Sequence, residues 1–278
     1  MFQSIGFEKF QRILKDSVHR FFSMHGPFLA SGLAFDLLLN FIPLLFLIVS
    51  TLGYTLAASD EAIRIVQSFL QDRLPPGSQF SVIDNLSLIA SKRTQFGLIG
   101  FVLYLFFTTA TFGSVRMVLN TIFEIKQPRS FFRGKGIDLL VMLMASGLFV
   151  LIAGLSALVA VVRTTNGIPL PGVFVSRVIG LLFMAALLYL LYRFCPAQRI
   201  GRRGLWTATL TGAILLELSK WLFGWYISVA RGYTILYGTL SGFLFLCLWL
   251  YYVSLVFILS GVIGSSADRI ATSDNLVK

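Results

Sequence analysis

Six apolar runs, each long enough to cross a lipid bilayer, restrict what this chain can fold into more than any motif does. They are Phe28 to Leu56, Gln95 to Phe123, Ile137 to Val162, Val173 to Cys195, Leu205 to Val229 and Tyr237 to Gly264. A helix rises 1.5 Å per residue, so about 20 apolar residues cross a hydrocarbon core ~30 Å thick. Spanning strands would read as segments of roughly ten residues alternating apolar and polar, and these runs are longer and apolar all round. Charge is scarce, at 13% of residues against roughly a quarter in soluble domains. The expected fold is therefore all-α, a polytopic membrane protein with a six-transmembrane-helix bundle over residues 28–264. Residues 1–27 form an amphipathic interfacial helix and 265–278 a cytoplasmic tail. No secretory signal peptide is expected, because the N-terminus is charged and periodic where an apolar core should stand.

Basic residues set the orientation, since Lys and Arg accumulate in cytoplasmic loops. Lys9, Arg12, Lys15 and Arg20 precede the first run, Lys126, Arg129, Arg133 and Lys135 follow the second, and Arg193, Arg199, Arg202 and Arg203 follow the fourth. Both termini are then expected on the cytoplasmic side. The net charge of +11 is spread over these loops without forming one basic element, which points to anionic lipid headgroups and away from nucleic acid. Cys195 and Cys247 fall near or within apolar runs, and neither placement suggests a disulfide.

Phe7, Phe10, Leu14, Val18 and Phe21 recur at helical intervals between the N-terminal cations, the pattern of a helix lying in the interface. The long second connection, residues 59–93, reads as two short amphipathic helices on the outer side. Ser59-Asp60-Glu61 caps the first, Pro75-Pro76-Gly77 stops it, and Val82, Leu86 and Ile89 mark the second.

Ionisable groups inside a span cost at least a few kcal/mol against hydrocarbon, so they turn toward protein or water and find partners. Asp36, Asn40, Arg116, Arg177, Glu217 and Lys220 are the positions to follow. Asp36, Asn40 and Pro43 share one helical face by their i, i+4, i+7 spacing. Counting from the inner helix ends puts Asp36 and Arg116 roughly 12 Å deep, and Glu217, Lys220 and Arg177 together at roughly 18–22 Å. Asp36 is thus a candidate counter-ion for Arg116, and Asn40 can help satisfy the carbonyl that Pro43 frees. Two readings stand side by side: ion pairs that fasten helices, or the lining of a path for a polar solute or lipid headgroup. Gly238 and Gly242 give a GxxxG spacing suited to close helix packing, which leaves a homo-oligomer open.

Catalytic signatures are missing from the sequence. His19 and His25 are the only histidines, so no zinc-hydrolase spacing exists; neither a phosphate-binding GxxxxGK[ST] loop nor a GxSxG elbow occurs. No metal site, cofactor or enzyme activity is expected.

The order of features resembles the BrkB/YihY family of bacterial inner-membrane proteins, once labelled ribonuclease BN, over nearly the whole chain. The resemblance rests on Leu33-Ala34-Phe35 with Pro43-Leu44-Leu45, on Arg116 with Leu119-Asn120 and Ile122-Phe123, and on Leu191-Tyr192-Arg193-Phe194 with Pro196. Glu217-x-x-Lys220-Trp221-x-Phe223, Tyr237-Gly238-x-Leu240 and Trp249-x-Tyr251 follow in family order. Glu217 and Lys220 match the family's pattern, whereas Asp36 and Asn40 stand where members often carry an aromatic and a serine. The resemblance implies a transporter-like role in moving a solute or lipid, or a non-transporting role in envelope integrity such as serum resistance. Ribonuclease activity has no support in these residues.

Overall fold

The computed structural model describes residues 2–58, 79–125, 134–148, 151, 172–230 and 240–276. Seven helices account for almost all of them: α1 (Phe2–Ser23), α2 (Gly26–Ala58), α3 (Gln79–Ile122), α4 (residues 134–148), α5 (Gly172–Phe194), α6 (Arg202–Val229) and α7 (Leu240–Leu276). The all-α expectation holds for the described residues. Three stretches among them are long and apolar enough to cross a membrane, Gly26–Leu44, Lys92–Ile122 and Ser241–Ser273, and Val178–Phe194 is a shorter apolar helix. Glu217, Lys220 and the threonines at 207, 209 and 211 make α6 more polar than these, and most of the third run lies outside the described residues.

Two element boundaries differ from the sequence reading. The second outer amphipathic segment is not separate, because Gln79–Ile122 is one helix; the first lies outside the described residues. The expected tail continues α7 as helix to Leu276, and it buries Ser265, Ser266, Ala267 and Ala271. Small side chains at those positions let this stretch pack closely.

The chain divides into two packed units. One is Asp36–Ala110, an antiparallel pairing of the later part of α2 with the earlier part of α3. Thr108 donates to the Asn40 side-chain oxygen at 3.0 Å, Ser50 Oγ donates to the Arg93 carbonyl at 2.8 Å, and Tyr54 and Thr94 hydroxyls meet at 3.1 Å. Phe46 stacks on Phe96 with ring centroids 5.9 Å apart, and the Arg93 guanidinium lies 5.3 Å from the Tyr54 ring. Pro43 is fully buried inside α2. Leu98, Phe101, Val102 and Phe106 point outward, the arrangement of a helix pair whose large apolar side chains face lipid.

The other unit, Met1–Phe35 with Thr111–Lys278, holds the rest. Its chief seam joins α6 to α7 through small residues. Gly204, Ala208 and Gly212 recur every fourth residue on the buried side of α6. A Cβ added at Gly264 would come 2.5 Å from the Gly204 carbonyl oxygen and 2.6 Å from the Ala208 Cβ. On the opposite side Trp206, Leu210, Ile214, Leu218, Trp221 and Trp225 form an exposed apolar stripe. Small side chains inward and large ones outward is what helix association in a bilayer requires, since lipid is as apolar as leucine and close backbone approach supplies the attraction. Gly264→Ala is expected to cost about 1–3 kcal/mol by overpacking, whereas Gly242, with open space among the described residues where its Cβ would stand, should accept alanine at no cost. Thermal unfolding of the two variants in detergent, followed by tryptophan fluorescence, checks the contrast.

Tyr192 is buried beneath this seam, donating to the Phe257 carbonyl at 2.7 Å, meeting Ser260 Oγ at 2.7 Å and stacking on Phe257. It joins α5 to α7.

Candidate functional site

The polar residues of the second unit gather at three places. The first lies where α3 ends. Glu124 has φ 52°, a left-handed conformation, and the amides of Ile125 and Glu124 donate to the carbonyls of Asn120 and Thr121 at 2.9 and 3.2 Å. That is a Schellman closure, and it leaves the carbonyl of Ile122 to be satisfied from elsewhere. Arg20 of α1 does so: Nη2 donates to the Ile122 oxygen at 3.1 Å and to Glu124 Oε1 at 2.9 Å. Its Nη1 donates to Ser265 Oγ at 3.0 Å and more weakly to Ser266 Oγ at 3.4 Å. Ser265 also donates to the Ile122 carbonyl at 3.1 Å, and Arg269 reaches Glu124 Oε1 at 2.8 Å. A cation on the C-terminal carbonyls of α3 is favoured by the helix dipole as well.

Nearby, Asn120 Oδ1 accepts from the Ala197 amide at 2.9 Å, which ties α3 to the turn after α5. The side-chain carboxyl of Asp268 sits against Gly201 at the start of α6, where a Cβ would collide with it. An acid there complements the amino end of a helix that has no side-chain cap of its own.

The second place is the pair Arg116 and Asp138. Arg116 Nη1 donates to Asp138 Oδ1 at 2.9 Å, Asp138 is 1% exposed, and Gly134 leaves the room that the guanidinium occupies. Sequence reasoning offers Asp36 as the counter-ion of Arg116; the carboxylate on its Nη1 is that of Asp138, an acid one turn into α4 that the same reasoning passes over. Asp36 and Asn40 stand one turn apart on α2, both half-buried. Asn40 is engaged by Thr108 of α3.

The third place is on α6. Glu217 and Lys220 form an ion pair at i, i+3, with side chains 41% and 40% exposed. Tyr189 of α5 meets Trp206 with ring centroids 5.4 Å apart, and Leu188 touches the Gly212 position. Carried along the antiparallel helices, that register brings the backbone of Arg177 to the height of the Glu217–Lys220 turn. A cavity of about 260 Å³, lined by Ser219, Leu222, Phe223, Tyr226 and Tyr252, opens on another side of α6, beside the contacts of Phe223 with Trp249 and Tyr252. Gly238 lies outside the described residues. Among those residues no group of three or more metal-ligating side chains converges.

Comparison with known proteins places these features in a family. A family model described as "Virulence factor BrkB" matches residues 17–275. A UPF0761 membrane protein of Delftia acidovorans is 28% identical over 242 residues, covering 84% of this chain and 57% of the relative. One from Ralstonia nicotianae is 27% identical over 249 residues, with 86% and 55% covered, and one from Pseudomonas paraeruginosa is 26% identical over 253, with 88% and 60% covered. The chain thus spans 55–60% of the length of these relatives. No solved structure matches.

Proposed function

This chain belongs to the BrkB family of membrane proteins, and on that premise we propose that it is a six-span inner-membrane protein, both termini cytoplasmic, that moves or binds a polar solute or lipid headgroup between its helices. The reading is non-catalytic. One observation carries it: Glu217 and Lys220, paired yet about 40% exposed, stand in the middle of a helix whose neighbouring exposed side chains are Leu218 and Trp221. Two charges left against acyl tails would be costly even when paired. A wetted or headgroup-occupied surface removes that cost. A headgroup or solute carrying an anionic group is the occupant that Lys220 would hold.

The test uses purified protein in proteoliposomes, with two probes: dithionite-accessible fluorescent phosphatidylglycerol for headgroup transfer, and efflux of small radiolabelled anions for solute passage. Glu217→Gln and Lys220→Met should each lower the flux by about tenfold, the effect of ~1.4 kcal/mol on a barrier, with the melting transition kept. Wild-type flux in both variants would overturn the assignment.

The inner clusters favour a different role. Arg20, Glu124 and Arg269 are bound to one another and to backbone, and Arg116 is bound to buried Asp138. These act as fasteners, which is what an envelope scaffold without transport would need throughout.

A further inference from the structure

Helix α1 has two faces. Ser17, Arg20 and Phe21 are buried, and the bonds of Arg20 to α3 and α7 fix the rotation of the helix about its axis. Fixing it leaves Leu14, Val18 and Phe22 exposed, spaced i, i+4, i+8 along one stripe. Lys15 and His19 border the stripe, and together with the stripe itself, Gln11 and Ser23 they line a groove of about 750 Å³. Arg12 is exposed at its edge, and Asp16 is the one acid between Gln11 and Ser23. The sequence pattern puts Arg20 among the headgroup-facing cations and Phe21 on the apolar outer face; the structure turns both inward and presents Phe22.

The position of this stripe selects its occupant. Only Met24 and His25 separate α1 from α2, with His25 at φ 57° turning the chain, and a Cβ at Gly26 would meet the Phe21 ring at 2.6 Å. The corner is therefore tight. Directly after it comes the membrane-crossing stretch Gly26–Leu44, whose Phe28 is 78% exposed. Phe22 is thus held at the height where that span enters the bilayer, and a water-borne partner would have to reach the same level. Apolar side chains bordered by cations suit a leaflet of anionic lipid, which buries the first and pairs the second.

We propose that the outward face of α1, formed by Leu14, Val18 and Phe22 with Arg12, Lys15 and His19, docks on the anionic lipid leaflet into which α2 inserts. The surface is separate from the site on α6, so its failure leaves the transport reading intact, and the reverse holds too.

Spin labels report the outcome. Val18→Cys and Phe22→Cys are labelled in the full chain carrying Cys247→Ala, with Cys195 left buried, and reconstituted in vesicles of phosphatidylglycerol and phosphatidylcholine. Both labels should be accessible to oxygen and shielded from nickel chelate. In pure phosphatidylcholine, or with Arg12→Glu and Lys15→Glu, the ratio of oxygen to chelate accessibility should fall by more than about fivefold, the population factor for losing a single basic residue's attraction to the surface, since at least two are lost. Shielding from both reagents would show a protein partner or second copy on the stripe and overturn the proposal; so would equal access of the chelate in both lipid compositions, which would put the stripe in water.

Discussion

Asp138→Ala is expected to destabilise the protein by about 3–5 kcal/mol, because it takes from the largely buried Arg116 guanidinium the buried carboxylate that it binds. Asp138 is 1% exposed, and its Oδ1 accepts from Arg116 at 2.9 Å. Replacing both groups by apolar ones of similar volume should be far milder. A double variant, Arg116→Met with Asp138→Leu, removes the attraction together with both desolvation costs, and such exchanges are often neutral or stabilising. Equilibrium unfolding in detergent of the two singles and the double closes a mutant cycle, and the coupling should be of the same order as the single loss. If the double variant is stable and the flux measured with fluorescent lipid or radiolabelled anion is unchanged, the pair is a fastener. A stable double variant with lost flux would instead move Arg116 and Asp138 into the transport path.

That cycle also shows where a sequence stops being sufficient. Periodicity put Arg116 inside a helix and required it to have an acid, and both inferences were sound because a lone guanidinium cannot stay in hydrocarbon. That Asp138 supplies a carboxylate depends on how α4 leans on α3, and no local pattern encodes that. Asp138 is the second residue of the third run, next to the basic connection, where an acid reads as lying at the membrane surface instead of inside the span. The pairing of Glu217 with Lys220 was legible because their i, i+3 spacing belongs to one helix.

Arg20 was misread for a related reason. Its neighbours Arg12 and Lys15 are exposed cations, but a helix turns about 100° per residue, so Arg20 points some 140° away from Lys15. A sum over basic residues hides that rotation. The α6 seam was available in the spacing of Gly204, Ala208 and Gly212, yet Gly238 and Gly242 give the more familiar pattern. What distinguishes the seam is the partner surface, including Gly264 on a helix sixty residues later in the chain.

Arg20→Ala should produce a loss comparable to that at Asp138, roughly 3–5 kcal/mol, built from several bonds made by one side chain. Hydrogen bonds to a charged group contribute about 1.5–3 kcal/mol each in favourable cases. The contact to Glu124 counts for less, since that carboxylate is 60% exposed and water screens it. Most of the loss should come from the buried side: the Ile122 carbonyl and the hydroxyls of Ser265 and Ser266. Two comparison variants separate these contributions. Glu124→Gln removes only the screened charge and should cost no more than about 1 kcal/mol. Arg20→Lys keeps the charge but not the planar fork that reaches α3 and α7 together, so it should recover less than half of the loss. Melting in detergent ranks the three, and limited proteolysis of α1 should rise in the same order, because α1 is the element the guanidinium holds down. Should Glu124→Gln prove as harmful as Arg20→Ala, the screened ion pair would be the principal tie, and the closure of the α3 end by Arg20 would be incidental to it.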